Sequence, residues 1–240
     1  MSVSLPTFFH AELNVADALL ELSPQESQHA AKARRLRAGS QVRVLNGRGL
    51  IADAQIITVE RSKVTLKIVS AQEFEPPRYR LCVATAVPKG DRQKVMLDMM
   101  CQLGVTQILP LECEHSVTHF SRNMYDKWLR ATIEACKQSQ NPWLPEILPA
   151  QSSVSLTPSE SHSLFYADGD GQLLMDAVDA SCEEMTIVIG PEGGFSAPEL
   201  AHFQTAGMQS IRLGDHILRT EAASIAAVSQ WGQIRMKFEC

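Results

Sequence analysis

Hydrophobic and polar residues alternate over much of the first part of the chain, as is typical of short antiparallel strands. The stretch Gln41–Val59 places Val42 and Val44 on one face and polar residues on the other, which indicates a strand with one buried face. Asn46-Gly47 within this stretch is the strongest short hairpin signal that a sequence can carry. A further strand is predicted over Lys63–Ala71.

A helix is predicted upstream of these strands, from Ser23 to Ser40. Ser23 can cap its first turn, Pro24 fits within that turn, and Glu26 stands three residues after the cap, as in a capping box. Gly39 suits the end of the helix. One helix with several short antiparallel strands predicts a small β-barrel domain.

The rest of the chain alternates strand and helix patterns. Strands are predicted over residues 80–87, 106–112, 162–168 and 185–190, with a short strand that ends at Gly214. Helices are predicted over residues 91–104, 123–140, 197–207 and 221–236. This alternation indicates the α/β class, with a parallel sheet that helices cover on both faces.

The stretch Gln72–Arg80 is the predicted linker, because its adjacent prolines fit neither a helix nor a central strand. The predicted domains are therefore residues 1–72 and 73–240. Residues 1–72 hold nine Lys/Arg and six Asp/Glu, a net charge of +3, whereas residues 73–240 hold thirteen and twenty-one, a net charge of −8. The total of −5 argues weakly against nucleic acid, but a basic first third on an acidic body favours a polyanion-binding module.

Composition narrows the class of protein further. The chain has 240 residues and is 45% hydrophobic, which supports a real core. Its six cysteines are scattered without a C-x-x-C pair, which favours a reducing compartment over a disulfide framework or a zinc site. No apolar run approaches the length of a membrane span, and the first residues lack the pattern of a secretory signal, so we expect a cytoplasmic protein.

The sequence GPEGG at Gly190–Gly194 is a tight turn between a predicted strand and a predicted helix. Ser196 is expected to cap that helix, and Glu199 to complete a capping box. Such a turn lies at the edge where open α/β sheets bind ligands. It matches neither the dinucleotide-binding pattern nor the P-loop. The sequence therefore lacks the motifs that would indicate a nicotinamide cofactor or a nucleoside triphosphate. The turn alone leaves open a purely structural role.

A second glycine-containing loop runs from Leu213 to Arg219 and leads into an alanine-rich helix. Thr220 is a candidate cap, and Glu221 suits the positive end of the helix dipole. Two such loops at strand ends can form one pocket, and the alanine face can pack against a neighbouring helix or a second subunit. Taken alone, a surface arginine and a plain core helix are the simpler interpretations.

Charged residues also follow the predicted strand at 80–87. They are Lys89, Asp91, Arg92 and Lys94. Either they line the same pocket or they are solvated, and solvated side chains are the simpler interpretation.

These stretches together resemble one known family. The sequences IGPEGGFSAPEL (189–200) and LGDHILRTEAA (213–223), preceded by KGDRQKVMLDMMCQLGV (89–105) and EACKQSQNPWLPEI (134–147), are similar to the RsmE-type 16S ribosomal RNA methyltransferases of the SPOUT class. RRLRAGSQVRVLNGRG (34–49) resembles the same family's PUA-like RNA-binding domain. The resemblance implies a C-terminal SPOUT trefoil-knot domain that uses S-adenosylmethionine to methylate uridine N3 in 16S rRNA. It also implies a homodimer that acts on the 30S subunit.

The resemblance implies a cofactor pocket made by three loops, which are Phe165–Gly169, Gly190–Gly194 and Leu213–Thr220. Their glycines let backbone approach the adenosine, while leucine and isoleucine side chains form apolar walls. The implied cofactor-binding residues are Phe165, Gly169, Gly190, Pro191, Gly193, Gly194, Leu213, Gly214, Ile217, Leu218 and Thr220. Glu192 is the candidate base for the N3 proton, and Arg219 the candidate cation for charge on the uracil oxygens, with Glu221 as a further candidate catalytic residue. No metal is required.

The N-terminal domain is expected to contact rRNA phosphates, with a solvated charge as the alternative for each basic residue. The candidate RNA-binding residues are Lys32, Arg34, Arg35, Arg37, Arg43 and Arg48. Positions that depart from the family pattern, most of them by losing an arginine, are Thr7, Gln102, His115, Asn141, His216 and Ala222. Losing an arginine is not conservative at a phosphate site. The alternatives are therefore a SPOUT enzyme that methylates another RNA, on a base or a ribose, and a non-catalytic RNA-binding homologue.

Overall fold

The computed structural model describes residues 5–33, 36–60, 62–159 and 162–239, and its contacts divide the chain into two compact units. The first unit comprises Met1–Pro76 and Cys136–Leu144, and the second comprises Pro77–Ala135 and Pro145–Cys240. The division of the domains at residues 72 and 73 stays a prediction.

The first unit contains a five-stranded sheet in the order β1-β3-β4-β5-β2. Its strands are β1 (Thr7–Phe9), β2 (Leu19–Glu21), β3 (Gln41–Leu45), β4 (Leu50–Val59) and β5 (Val64–Glu73). Only β1 and β3 pair in parallel among these strands, and the sheet fits the small barrel-like domain that the alternation predicts.

The predicted hairpin joins β3 to β4 through the four residues 46–49. The side-chain oxygen of Asn46 accepts the backbone N–H groups of Arg48 and Leu50, at 2.7 and 3.1 Å. Gly47 and Gly49 both have positive φ, which explains two glycines so close together.

The predicted helix at 23–40 is shorter than its sequence pattern indicates. It consists of α1 (Pro24–Gln28) and a turn of π-helix over His29–Ala33, and Gly39 lies in a later turn. Ser23 caps α1 as predicted. Glu26, however, directs its buried carboxylate to the Lys137 ammonium at 2.8 Å, because a buried charge requires a partner of opposite sign more than a cap requires a second hydrogen bond.

The second unit contains a seven-stranded, fully parallel sheet. Its strands are β6 (Arg80–Ala86), β7 (Gln107–Glu112), β8 (Glu146–Ile147), β9 (Gln151–Ser152), β10 (Ser163–Leu173), β11 (Glu184–Ile189) and β12 (Gln209–Arg212). They follow the order β12-β10-β11-β6-β7-β8, with β9 beside β7. The predicted α/β class with a parallel sheet is confirmed.

Helices lie on both faces of this sheet. They are α2 (Arg92–Leu103), α3 (Arg122–Ser139), α4 (Leu174–Ala177), α5 (Ala197–Thr205) and α6 (Thr220–Phe238). Leu81 and Val83 of β6 enter a core that includes Trp231 of α6, whereas the intervening Cys82 enters a second core with Phe203 of α5. Alternate residues of one strand thus feed two cores, as a doubly covered sheet requires.

The last helix returns the chain to the middle of the sheet. After the edge strand β12, α6 packs against α2, β6 and β11. The hydroxyl groups of Ser224 in α6 and Thr85 in β6 lie 3.1 Å apart and are both buried. No helix in the described ranges combines the length and apolar character needed to cross a membrane.

Candidate functional site

A cavity of about 500 Å³ lies at the carboxyl ends of β10, β11 and β12. Residues of β10, the turn after β11, the loop after β12 and the first turn of α6 surround it. They are Ala167, Asp168, Gly169, Asp170, Ile189, Gly190, Pro191, Glu192, Gly194, Phe195, Leu200, Leu213, Gly214, Asp215, His216, Ile217, Leu218, Thr220 and Ala223. Since the strands are parallel, three separate loops meet at this one edge.

The wall from β10 is an irregular stretch within a longer strand. β10 continues to Leu173, beyond the predicted end at residue 168, and its pairing with β12 shifts register between Ala167 and Gln172. A Cβ at Gly171 would stand 2.6 Å from backbone atoms of Ile211, so only glycine allows the two strands to approach this closely.

The turn after β11 is tied to the start of α6. Thr220, predicted as a cap, is instead the first residue of α6, and Arg219 occupies the cap position. Because Thr220 already has a helical backbone, its hydroxyl is available to donate to the carbonyl of Gly190 at 3.1 Å. Two walls of the cavity are therefore joined by one hydrogen bond from the buried Thr220.

Glu199 fixes the other end of the same turn. The predicted capping box is present, with the Ser196 N–H 2.7 Å from the Glu199 carboxylate. The same carboxylate accepts the Ser153 hydroxyl at 2.5 Å and the backbone N–H of Glu114 at 3.1 Å. Burial alone raises the pKa of Glu199, but these hydrogen bonds outweigh burial and hold the pKa below its ordinary value.

His115, one of the positions that the resemblance marks as a departure, also supports this turn. Its ring nitrogen Nδ1 donates to the carbonyl of Gly194 at 3.1 Å. A Cβ at Gly193 would lie 3.1 Å from the Cβ of His115, which leaves little room for a side chain there. The loop after β7 therefore packs directly on the GPEGG turn.

Most of the predicted cofactor-binding residues surround the cavity, and two do not. Those that do are Gly169, Gly190, Pro191, Gly194, Leu213, Gly214, Ile217, Leu218 and Thr220. Phe165 is buried in the core, and Gly193 faces His115 instead.

Several residues of the cavity were not named individually as cofactor-binding, and the chemically active ones are Asp168, Asp170, Asp215 and His216. Asp168, Asp215 and His216 lie within the loops that the resemblance assigns to the cofactor, whereas Asp170 lies outside them. Asp168 accepts the backbone N–H of Asp170 at 2.9 Å. A carboxylate directly after an apolar strand is a sequence signal for a ligand-binding residue. The residue named for cofactor binding in this stretch was Gly169, and the neighbouring acids were not named.

The three candidate catalytic residues lie in different settings. Glu192 lines the cavity and pairs with Arg92, whose Nη1 is 3.3 Å from its carboxylate. Glu221 lies in the first turn of α6, 3.8 Å from Nε of the same arginine, and its Oε2 is buried without a hydrogen-bond partner in the described chain. Arg219 is exposed and is not among the residues that line the cavity.

The candidate RNA-binding residues divide into three groups. Arg34, Arg35 and the side chain of Lys32 fall outside what the structure describes. Arg43 bonds Asp53 at 2.8 Å and Gln140 at 2.5 Å, and Arg48 bonds the carbonyl of Ala11, so both serve contacts within the first unit. Arg37 has an exposed side chain. Across the described ranges, no group of three or more His, Cys, Asp and Glu could hold a metal ion.

Two domain families match the sequence. An RNA methyltransferase domain matches residues 75–232, and an RNA methyltransferase PUA domain matches residues 22–69. Curated relatives are called Ribosomal RNA small subunit methyltransferase E. The one from Rickettsia conorii is 28% identical over 88% of each chain, and the one from Mycobacterium bovis is 24% identical over 97% of this chain and 93% of its own.

Solved structures share the fold over nearly the whole chain. A Legionella pneumophila protein whose structure holds the bound cofactor SAM is 28% identical, with a TM-score of 0.85 and coverage of 95% of this chain and 96% of its own. A Ribosomal RNA small subunit methyltransferase E from Neisseria gonorrhoeae, bound to S-adenosyl methionine, is 23% identical, with a TM-score of 0.87 and coverage of 96% and 98%.

Replacing Glu199 with glutamine tests how the cavity is held. We expect Glu199→Gln to lower the free energy of unfolding by about 2 kcal/mol near pH 7, because a buried acceptor of three hydrogen bonds loses its charge. The low pKa of native Glu199 means that its contribution is present above the ordinary carboxyl value of 4.5 and is lost as the pH falls through the native value. Urea unfolding of wild type and variant should therefore converge at low pH.

The exposed Asp126, on α3, provides the matched control. Asp126→Asn should change stability by less than about 0.5 kcal/mol at either pH. A Glu199→Gln deficit that persists unchanged in acid would contradict the charge-based account.

Proposed function

This chain belongs to the RNA methyltransferase family, and we propose that it transfers a methyl group from S-adenosylmethionine to N3 of a uridine in 16S rRNA of the small ribosomal subunit. The observation that carries the proposal is the cavity that three loops form at the carboxyl edge of the parallel sheet. Relatives that bear the name of a small-subunit rRNA methyltransferase, and similar structures with the cofactor bound, support the choice of cofactor and RNA.

The cavity suits S-adenosylmethionine in size and in chemistry. Its volume of about 500 Å³ falls in the range of small-molecule pockets. Ile217 and Leu218 present exposed apolar side chains to it, as a wall for a flat base requires. The carboxylates of Asp168 and Asp170 can accept hydrogen bonds from ribose hydroxyls or from the ligand's amino group.

Glycines and Thr220 hold the proposed cofactor loops in place. Gly194 has a φ of +73°, which an L side chain rarely adopts, and its N–H closes the turn on the carbonyl of Pro191 at 2.9 Å. The hydrogen bond from Thr220 to Gly190 keeps this turn against α6. The knotted chain path that the resemblance implies belongs to the same proposal.

Glu192 is the proposed general base. When bound, S-adenosylmethionine would supply a methyl group on a positively charged sulfur, and that sulfur would keep the electron pair of the broken bond while the N3 pair bonds the methyl carbon. Glu192 takes the N3 proton, which is the step that a carboxylate at the edge of the cavity can perform. Arg219 is the proposed cation for negative charge on the uracil oxygens, and Glu221 remains a weaker catalytic candidate.

The first unit is proposed to contact rRNA through its basic residues, with the 30S subunit as partner. Arg37 is exposed and available for phosphate, whereas Arg43 and Arg48 would have to share their internal contacts. Because ribosomal subunits are cytoplasmic, the proposed substrate places the enzyme in the cytoplasm.

A homodimer is also proposed, and one face of α2 supports it. Val95, Met99 and Leu103 stand four residues apart on α2 and are 51%, 44% and 37% exposed. Residues at this spacing share one side of a helix. An exposed apolar stripe on a helix next to α6 is typical of a surface that a second copy covers.

The first measurement is transfer of labelled methyl from S-adenosylmethionine to 30S subunits that lack uridine-N3 methylation, with the labelled nucleoside identified. Wild type should label uridine N3. Glu192→Gln should lower kcat by about 100-fold or more, as loss of a general base does, while cofactor affinity changes little.

Glu183→Gln is the control, because this glutamate pairs with Arg78 on the surface, at the opposite end of β11 from the cavity. It should retain wild-type rates. Label on another nucleoside or on ribose would favour the SPOUT enzyme with a different RNA. Cofactor binding without any transfer to 30S subunits would favour either another RNA substrate or a non-catalytic RNA-binding homologue.

The proposed dimer is tested by introducing charged residues on the exposed apolar face of α2. Val95→Glu combined with Met99→Glu should convert a dimer to a monomer in sedimentation equilibrium, because two carboxylates would have to be buried in each half of the interface. Val69→Glu, at a more exposed valine in the first unit, should leave the dimer intact. A wild type that is monomeric at micromolar concentration would refute the proposal.

A further inference from the structure

Arg92 lies between two carboxylates that reach it from different elements of the second unit. Its Nη1 is 3.3 Å from an oxygen of Glu192, in the GPEGG turn, and its Nε is 3.8 Å from an oxygen of Glu221, in the first turn of α6. Arg92 is itself the first residue of α2. One side chain thus connects the start of α2, the turn after β11 and α6.

The backbone that carries Arg92 is firmly held. The neighbouring Gln93 donates its side-chain amide to the carbonyl of Pro88 at 2.8 Å. The indole N–H of Trp128 donates to the oxygen of the same amide at 2.8 Å, and Trp128 is buried. The Arg92 guanidinium therefore extends from a fixed base, although the side chain is 42% exposed.

Glu192, by contrast, stands in a turn and is 39% exposed. In the described part of the chain, its carboxylate is hydrogen-bonded to Arg92. A glutamate side chain without a partner samples many rotamers, and ordering it costs free energy. Like charge on Glu221 would also push it away, and the cation between the two acids offsets that repulsion.

We propose that Arg92 is a positioning residue for methyl transfer, which holds the Glu192 carboxylate at the edge of the cavity by bridging it to Glu221. The proposal rests on the proposed function, in which Glu192 receives the N3 proton. Arg92 is not among the residues that line the cavity, so we expect its replacement to change cofactor affinity little. Its effect is on the orientation of the base, and hence on the rate of the chemical step.

Arg92→Gln separates this role from binding. We expect kcat for methyl transfer to fall by about 30-fold, because a displaced catalytic group loses its alignment with the proton. The KM values for S-adenosylmethionine and for 30S subunits should stay within about threefold of wild type. Arg92→Lys keeps a cation between the two acids and should recover most of the lost kcat.

A double-mutant cycle identifies the residue through which Arg92 acts. In a Glu192→Gln background, adding Arg92→Gln should produce no further loss of kcat, because the base that Arg92 positions is already absent. Lys94→Gln removes a nearby exposed cation on α2 and should behave as wild type.

Three results would overturn the proposal. Additive losses in the cycle would mean that Arg92 acts independently of Glu192. A raised KM for 30S subunits with unchanged kcat would mean that Arg92 contacts RNA phosphate. If Arg92→Lys folds normally but does not recover kcat, the positive charge between Glu192 and Glu221 is not what sets the rate. If wild type itself labels no uridine N3, the proposed function fails first, which distinguishes the two failures.

Discussion

The parallel pairing of the central strands determines where chemistry can occur in this protein. β10, β11 and β6 run side by side in the same direction, and β12 joins β10 in parallel. Every strand in such a sheet delivers its following loop to the same edge, and helices that cover both faces leave that edge accessible. The cavity, the acids around it and Arg92 are all found there.

The GPEGG turn at that edge keeps its shape because hydrogen bonds of buried side chains tie it to its neighbours. Glu199 joins the GPEGG turn to the residues around Ser153 and Glu114, and Thr220 joins the same turn to α6. Each bond satisfies a polar group that would cost free energy if buried alone. The cavity is therefore supported by the protein before any ligand enters, which lowers the entropic cost of binding.

Local signals in the sequence predicted the GPEGG turn and the cap of the helix that follows it, whereas contacts between residues far apart in the chain could not be predicted. The capping box at Ser196 needs a residue only three positions away, so it could be recognised. The contact of Glu199 with Glu114 spans 85 residues, and that of Glu26 with Lys137 spans 111. Periodicity carries no information at such separations, which is why Glu26 was expected in a cap and not in a buried ion pair.

Residues around the cavity show the same division. The glycines of the GPEGG turn were recognised by pattern, whereas Asp170, outside the loops predicted for the cofactor, was recognised only from the folded arrangement. The exposure of Ile217 favours a bound ligand in this cavity. Its side chain is fully exposed beside the half-exposed Leu218, and both line a concave surface. The exposed surface of these apolar side chains does not stabilise the fold, but its burial would be favourable when a flat apolar group covers it.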